Sequence, residues 1–337
     1  MKLNDVKFFI GPMSKNITDT IIDFSITENY KIGIIPSRRQ IDWNGGYVNS
    51  WTTESFINYL SSYWCDRKKL IIERDHGGIG QGSNYDNGTI SYYIDSDKFD
   101  IIHVDPWYFF HKNNSINYNQ KNSNQRALDE TIDNIQFINK INPNCLFEVG
   151  TEESIKYLTY TDIDNILGYL KYRLGDLFDK IVYCVIQSGT GIIGTKNFGT
   201  FDLDRLKNMV KVCNKYGVLS KEHNGDYLTS EEIKIRFDNG LSAINIAPEF
   251  GVFETDILLE YMTEEQKETF YNICYKSNKW VKWIDYDDIN PLENKKELTR
   301  ICGHYQFSDP EFINMNINID DIIKDRMYNK LKKLTQL

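Results

Sequence analysis

Histidines and aspartates fall at the ends of short apolar runs in this sequence. Three of the five histidines, His76, His103 and His223, occupy such positions. Asp75 precedes His76, and Asp105 follows His103 by two residues. Divalent transition metals accept imidazole and carboxylate ligands, and a carboxylate beside them can carry a proton. These residue types predict a site for a divalent metal, with zinc expected, that supports acid–base chemistry.

The ligands of this site come from separate apolar runs, so no short spacing identifies them. His76 and His223 are the predicted histidine ligands, and Glu152 or Glu148 is the predicted carboxylate ligand. Asp75 is the predicted proton-transfer group, because neighbouring residues at a strand end can face different parts of one pocket. The alternative is that these side chains hydrogen-bond one another and only close the end of the fold.

Arg38 and Arg39 follow another apolar run. A guanidinium group there can bind phosphate or carboxylate through paired hydrogen bonds, although a surface ion pair would explain the same residues. Two glycine-rich turns, at 77–82 and 188–191, could offer backbone N–H groups to an anion. Neither turn has the spacing of a P-loop or of a dinucleotide-binding turn, and a tight turn alone explains both.

Eight apolar runs must position these groups, and longer helical patterns lie between them. The runs are roughly 34 residues apart on average, close to the ~30 residues of a βαβ unit. Eight such units predict an α/β fold, a (β/α)8 TIM barrel, whose active site lies where the strands end. The predicted strands are Lys7–Ile10, Lys31–Ile35, Leu70–Glu73, Ile101–Val104, Cys145–Val149, Ile181–Ile186, Val218–Lys221 and Ala243–Ile246.

The pattern changes beyond residue 262, where one helical segment follows another. The sequence therefore predicts a barrel over residues 1–262 and a helical C-terminal extension over residues 263–337 that packs on the barrel. A packing lid or an arm for oligomer formation would account for such an extension.

Composition excludes several classes of protein. The 337 residues include 39 lysines and arginines against 48 aspartates and glutamates, a net charge of -9, which argues against nucleic-acid binding. No apolar run is long enough for a membrane span or a signal peptide. The six cysteines form no CxxC pair. We expect a reduced, cytoplasmic protein with no membrane partner.

The residues at the strand ends resemble a known family in their order along the chain. The segment IIPSRRQIDWNGGYVNSWTTESF is similar to the accessory, non-catalytic subunit of class II tagatose-bisphosphate aldolases, with matches at Gln40 and in the GGY turn at 45–47. Further matches cover roughly residues 7–262. They are Asp75 and His76, His103 and Asp105, Gly150 to Glu152, Gln187, His223, and Asp226 with Tyr227.

A weaker resemblance extends to the catalytic class II sugar-bisphosphate aldolases, which are zinc-dependent TIM barrels. It implies that Asp75 is the base, that His76 and His223 are metal ligands, and that Asn245 in GLSAINIAPE holds substrate. The chain departs from the catalytic family at Gln187, where a further ligand histidine is expected. It departs from the accessory family at Arg38 and Arg39, which replace small polar residues, and both Pro248 and Glu249 end the eighth strand differently.

Two functional hypotheses follow from the residues and the resemblance. The first is a sugar-phosphate aldolase, or a related lyase or epimerase, that acts beside a carbonyl through a metal-stabilised enediolate. The second is a non-catalytic accessory subunit that stabilises a catalytic aldolase partner, and a homo-oligomer is a further possible assembly. A barrel that binds an unrelated sugar or nucleotide sugar is the remaining alternative.

The first hypothesis gives each site residue a role. His76, Glu152 and His223 hold the metal, and Asp75 moves the proton. The remaining residues contact a sugar phosphate or a related anionic sugar. Hydroxyl orientation is assigned to His103, Asp105, Gln187 and Asn245, anion binding to Arg38 or Arg39, and further substrate contacts to Gln40 and Asp226.

Overall fold

Eight parallel strands close into a barrel in the computed structural model, which describes residues 3–63, 69–83, 86–111, 123–283 and 293–337. Their order around the barrel is β1-β10-β9-β6-β5-β4-β3-β2, so each is paired on both sides. The predicted TIM barrel is confirmed. The barrel strands are β1 Phe8–Ile10, β2 Ile32–Ile34, β3 Leu70–Gly77, β4 Ile101–Val104, β5 Leu146–Val149, β6 Ile181–Ile186, β9 Leu219–Glu222 and β10 Ala243–Ile246. A small hairpin of β7 Ile192–Ile193 and β8 Lys196–Asn197 follows β6.

Helices connect successive strands and surround the barrel. Several begin as their sequences indicate, because a side chain caps the first turn. Asp202 accepts a hydrogen bond from Arg205 N, and Thr229 forms a reciprocal capping box with Glu232. The helices of this part of the chain are α1 Lys15–Thr27, α2 Thr53–Tyr63, α3 Thr89–Ser96, α4 Trp107–His111, α5 Ser123–Ile141, α6 Tyr160–Leu174, α7 Leu203–Tyr216, α8 Ser230–Asp238 and α9 Pro248–Tyr261.

The barrel interior changes from apolar to charged along the strands. Ile71 of β3 and Ile101 of β4 belong to a small buried apolar cluster. Two residues further on, these strands carry Glu73 and His103, which are also buried, and β3 continues to Asp75. Side chains two residues apart share one face of a strand, so they form successive layers inside the barrel. The polar layers lie toward the C-terminal ends of the strands, as the sequence predicts.

Strand β3 is longer than the sequence predicts and irregular near its end. It continues to Gly77, and its pairing with β4 shifts register between Arg74 and Gly77. Within this irregular stretch His76 has a φ of 44°, a left-handed conformation that is uncommon for a residue other than glycine. Such backbone strain is concentrated at functional sites.

The chain beyond α9 forms further helices that pack on the first and last helices of the barrel. Helix α13 contacts both α1 and α9, and it buries Ile323, Met327 and Leu331. The elements of this region are α10 Glu264–Lys276, α11 Lys295–Cys302, α12 Pro310–Asn314 and α13 Asp320–Thr335, with short 3-10 turns at Val281–Trp283 and Gly303–Gln306.

The extension also reaches the rim of the barrel. Ser308 Oγ donates a hydrogen bond to Tyr47 O, 2.9 Å away, in the loop that follows β2. Gly194 N, in the β7–β8 hairpin, donates to Trp283 O at 3.0 Å. The extension therefore contacts two of the loops that surround the C-terminal ends of the strands. None of the described helices is both long enough and apolar enough to cross a bilayer.

Candidate metal centre

Four side chains converge at the C-terminal end of the barrel. Asp75, His76, His103 and His223 each direct one potential ligand atom into a group whose members lie within 4.8 Å of one another. The three imidazole rings form a near-equilateral triangle, with every pair of ring centres 5.1 Å apart. Asp75 Oδ1 lies 3.8 Å from His76 Nε2, 4.0 Å from His103 Nδ1 and 3.9 Å from His223 Nδ1.

Each histidine has a hydrogen-bond acceptor at its other ring nitrogen. His76 Nδ1 lies 2.7 Å from Asp105 Oδ2, His103 Nε2 lies 3.1 Å from Gly150 O, and His223 Nε2 lies 2.6 Å from Glu148 Oε1. In the neutral tautomer that donates to these acceptors, the remaining nitrogen of each ring carries a lone pair. That of His103, Nδ1, accepts a long hydrogen bond of 3.4 Å from the backbone N of His76. Metal-binding histidines are oriented in this way, so the three acceptors prepare the rings for a metal.

The donor set fits a divalent transition metal. Ligand bonds of about 2.0–2.1 Å in a tetrahedral site place the ligand atoms ~3.3 Å apart. The Asp75–histidine separations of 3.8 to 4.0 Å exceed that value by roughly 0.5–0.7 Å, and the ligand atoms of the whole group lie within 4.8 Å of one another, so the side chains would move inward around a metal. Three nitrogens and one carboxylate oxygen suit zinc and related metals better than magnesium or calcium.

The electrostatics of the cluster favour a cation. Burial lowers the pKa of His76, but Asp75, Asp105 and Glu152 outweigh it and raise that pKa to about 10. Burial also raises the pKa of Asp105, yet the hydrogen bond from His76 and the neighbouring imidazoles lower it overall. Without a metal, the His76 ring therefore binds a second proton. A metal that binds this ring must displace that proton.

A buried charged network supports the cluster from inside the barrel. Lys221 of β9 is fully buried, and its Nζ donates hydrogen bonds of 2.7 Å to both Glu73 Oε2 and Glu148 Oε2. The other oxygen of Glu148 accepts from His223. Glu148 thus joins Lys221 to a histidine of the cluster, and it fixes the orientation of that ring.

The two carboxyl groups of this network differ in charge. Burial, and then the nearby Glu148 carboxylate, raise the pKa of Glu73 well above its usual range. Burial also raises the pKa of Glu148, but Lys221, His103 and His223 outweigh it and hold it well below the usual range. These opposite shifts favour an ionised Glu148 beside the ammonium group of Lys221, with the proton of the pair on Glu73.

Glu152 and Gln187 are among the predicted site residues that lie outside the cluster. Glu152, a predicted ligand, instead accepts hydrogen bonds from Asn224 Nδ2 and from Ser154 Oγ, the latter at 2.8 Å. Gln187 was expected to orient substrate, but protein groups engage both ends of its amide. Its Oε1 accepts from Leu158 N and Arg205 Nη2, and its Nε2 donates to Thr151 O and Lys156 O, all within 2.9 Å. His103 and Asp75 join His76 and His223 in the cluster in place of Glu152.

Arg38 and Asp226 are occupied by ion pairs and hydrogen bonds within the protein and are not available to a ligand. Arg38 is fully buried and forms ion pairs with Asp42 at 2.9 Å and with Asp86 at 2.6 Å. The predicted anion site at Arg38 is therefore filled by these carboxylates. Asp226 Oδ1 accepts from Ala247 N at 2.9 Å and from Glu249 N at 2.8 Å, so it caps the start of α9. Burial, and then Glu249, raise the pKa of Asp226 to about 7.

The remaining predicted substrate residues differ in whether protein groups already occupy their polar atoms. Asn245, on β10, is buried, and neither atom of its amide has a hydrogen-bond partner among the described residues. Gln40 is engaged locally, because its Oε1 accepts from Ser37 N at 2.6 Å. Arg39 is exposed and lies over the ring of Tyr108. Asn245 and Arg39 thus remain available to a ligand.

Comparison with known proteins shows the fold. No family model matches the chain, and a search of curated proteins also finds no match. A probable tagatose 6-phosphate kinase from Sinorhizobium meliloti is similar in structure, with a TM-score of 0.74 and 13% identity, over 97% of this chain and 93% of that one. A fructuronate-tagaturonate epimerase from Cohnella laeviribosi gives a TM-score of 0.68 and 10% identity, over 98% and 81%. A fructose-bisphosphate aldolase from Campylobacter jejuni gives 0.57 and 14%, over 98% and 90%.

These likenesses establish the TIM barrel at very low sequence identity. The resemblance to the accessory-subunit family stays a prediction.

Two site residues have a sequence signal that the prediction did not use. Glu73 and Lys221 each lie two residues before a cluster position, Asp75 and His223, on the same strand. Period-2 alternation places such residues inside the barrel, and a charge at that position signals a buried ionic network. Lys282, at the barrel rim, carries no comparable signal because its position depends on how the extension packs.

Proposed function

We propose that the protein is a metal-dependent enzyme that acts beside the carbonyl of an anionic sugar, as an aldolase or an epimerase. The observation that carries this proposal is the convergence of three imidazoles and Asp75, with an acceptor behind each ring. A metal centre requires such a set of oriented ring nitrogens, and the hydrogen bond that one of them accepts, from His76 N to His103 Nδ1, is long at 3.4 Å.

The residues of the cluster divide into two roles. His76, His103 and His223 would hold the metal, which when bound polarises a substrate oxygen and stabilises negative charge beside the carbonyl. Asp75 would carry the proton. Its carboxylate is partly exposed and accepts no hydrogen bond from the described residues, so it is available to a substrate.

Asn245 supports a polyhydroxylated substrate. Its buried amide lacks hydrogen-bond partners among the described residues, and a substrate hydroxyl can both donate to and accept from it. The names of the structural neighbours, a tagatose 6-phosphate kinase, a fructuronate-tagaturonate epimerase and a fructose-bisphosphate aldolase, all concern sugars or sugar acids. We infer a phosphorylated or acidic sugar as the substrate.

Elemental analysis tests this proposal most directly. We expect close to one zinc, manganese, cobalt or iron per chain in the purified protein, lost on chelation and in His223→Ala. The matched control is His111→Ala, since His111 does not belong to the cluster. Metal-loaded protein is then offered phosphorylated ketoses and sugar acids in D2O, and deuterium uptake beside the carbonyl is followed by NMR. Absence of metal in the wild-type protein, even after metal is added back, would overturn the proposal in favour of an accessory role.

A further inference from the structure

Two cations at the C-terminal end of the barrel have no carboxylate partner among the described residues. Arg39 is exposed in the loop between β2 and α2, and its Cζ lies 5.9 Å from the centre of the Tyr108 ring. Part of Lys282 is exposed in the turn Val281–Trp283 of the extension, but its Nζ packs 4.3 Å from the centre of the Trp283 ring. Neither forms an ion pair with any residue that the structure describes.

A backbone hydrogen bond and two aromatic contacts connect the segments that carry the two cations. Tyr47 N donates a hydrogen bond of 3.2 Å to Arg39 O, and the Tyr47 ring packs 4.7 Å from that of Tyr305. Lys282 Nζ lies 5.2 Å from the centre of the same Tyr305 ring. A loop of the barrel and a turn of the extension therefore meet here, and each contributes one cation.

Neighbouring hydrogen bonds hold the turn that carries Lys282. Trp283 Nε1 donates to Tyr305 Oη at 3.2 Å, and Trp283 O accepts from Gly194 N at 3.0 Å. His304 lies beside Tyr305, with ring centres 4.1 Å apart. His304 is buried, and neither of its ring nitrogens has a hydrogen-bond partner among the described residues. This corner thus combines fixed cations with polar atoms that protein groups leave unused.

Electrostatic coupling connects the cations with the metal centre. Desolvation, then the charges of Arg39 and Lys279, lower the pKa of Lys282 to about 8, while Glu152 opposes them. Glu152 accepts a hydrogen bond from Asn224, the residue that follows His223 of the cluster, so Lys282 and the metal centre share this acidic neighbour. Two positive charges that repel each other, with no counter-ion among the described residues, are costly, and an anionic ligand would remove that cost.

We propose that Arg39 and Lys282 bind the anionic group, a phosphate monoester or a carboxylate, of a sugar whose carbonyl lies at the metal cluster. This inference rests on the proposed function and adds the recognition of the substrate's charged end. It also gives the C-terminal extension a part in substrate binding. The protein carries a net charge of -9, so a small anion needs such a local concentration of positive charge to bind.

The test titrates inorganic phosphate into chelator-treated, full-length protein by calorimetry, so that phosphate cannot bind through a metal. We expect Lys282→Met and Arg39→Met each to weaken phosphate binding about tenfold or more, as for loss of a charged hydrogen-bond partner. Lys276→Met removes the same charge from an exposed site on α10 and should change the affinity less than about twofold. Equal phosphate affinity in the wild-type protein and the Arg39/Lys282 double variant would overturn the inference, as would absence of phosphate binding to the wild type.

Competition distinguishes the two sources of the anionic group. A hexose 6-phosphate and a hexuronate are each titrated in the presence of phosphate, with the neutral hexose as reference. Displacement of phosphate by either anionic sugar, but not by the neutral one, supports the inference and identifies the group. If neither anionic sugar displaces phosphate better than the neutral hexose does, the site does not recognise the anionic group of a sugar and the inference fails. Metal content is measured on the same variants and should be unchanged, so failure of the metal centre and failure of the anion site give separate results.

Discussion

Asp75 is the residue whose role the cluster geometry makes most testable. It lies between 3.8 and 4.0 Å from a nitrogen of each of the three histidines, so it could serve either as a fourth ligand or as the proton carrier. We expect Asp75→Asn to retain close to one metal per chain, because three imidazoles suffice to hold it. Deuterium uptake by the substrate should fall about 10²–10⁴-fold, the usual contribution of a positioned base.

Metal analysis and the exchange rate, measured on the same preparation, check this prediction. Asp97→Asn is the control, since Asp97 is an exposed aspartate that precedes β4 at the other end of the barrel. Loss of metal from Asp75→Asn would instead make Asp75 a ligand.

Glu73 and Glu148 each accept a hydrogen bond of 2.7 Å from the buried Lys221. Their contributions to stability can therefore be compared directly. Because the pKa shifts favour Glu148 as the ionised member, Glu148→Gln should lower the free energy of unfolding by about 1.5–3 kcal/mol, the cost of removing a charged hydrogen-bond partner of Lys221 and His223, while Glu73 stays bonded to Lys221. Glu73→Gln replaces a neutral carboxyl and should cost less than about 1 kcal/mol.

Urea unfolding of chelator-treated protein measures both values without a contribution from bound metal. Equal losses of stability in the two variants would show that the charge is shared between Glu73 and Glu148.

The sequence predicts which residues lie at the site better than it predicts which other residues they contact. Asp75, His76, His103 and His223 were all expected at the strand ends, because each follows an apolar run. The choice of ligands could not be made in the same way, since it depends on the direction of each side chain.

Arg38 and Gln187 illustrate the same limit. Their partners lie elsewhere in the sequence, such as Asp86 for Arg38 and Arg205 for Gln187, and only folding brings them together.

At the level of elements, the apolar pattern of the sequence predicts the barrel strands but not the local irregularity of β3. All eight predicted strands occur, with bounds that differ from the prediction by a few residues at most. The continuation of β3 to Gly77, its shifted pairing with β4 and the positive φ of His76 have no signal in the apolar pattern. These features direct His76 toward the cluster, so a local departure from ideal strand geometry creates part of the site.

The contact between α9 and the start of α1 predicts a dependence of stability on pH. Glu254 of α9 is buried and accepts hydrogen bonds from Ser14 Oγ and from Asn16 Nδ2, the latter at 3.0 Å. Burial raises its pKa from 4.5 to about 7, against the effect of these bonds. A carboxyl group whose pKa is raised by folding stabilises the protein fully below its unfolded pKa, and this contribution is lost as pH rises through the folded value.

We therefore expect Glu254→Gln to be more stable than the wild type above pH 7, by up to roughly 3 kcal/mol, and to lose this advantage at pH 4.5. Urea unfolding from pH 4.5 to 8 measures the difference. Glu265→Gln, at an exposed position of α10, should follow the wild-type curve. A constant difference between Glu254→Gln and the wild type across this range would contradict the assigned titration.

At the scale of the whole molecule, the C-terminal extension packs against both the first and the last helix of the barrel. Helix α13 packs against α1, where the rings of Phe24 and Tyr328 lie 5.2 Å apart and Lys324 pairs with Asp19 at 2.9 Å. It also contacts α9, where Lys330 pairs with Glu249. The same extension carries Lys282 to the barrel rim, so its packing affects both the stability of the fold and the site. Residue patterns predict helices here, but not their place on the barrel, which depends on long-range contacts.

Met327 tests whether barrel and extension unfold as one unit. Its side chain on α13 is completely buried, so Met327→Ala should lower the free energy of unfolding by about 2–5 kcal/mol through lost burial and a residual cavity. Because α13 contacts both α1 and α9, far-UV circular dichroism and tryptophan fluorescence should report one coincident transition, shifted to lower urea in the variant. Asn329→Ala, an exposed substitution on the same helix, should change stability by less than about 0.5 kcal/mol. An early transition confined to the extension, with the main transition of the barrel unmoved, would show instead that the extension folds independently, and that loss of its packing need not disturb the metal centre.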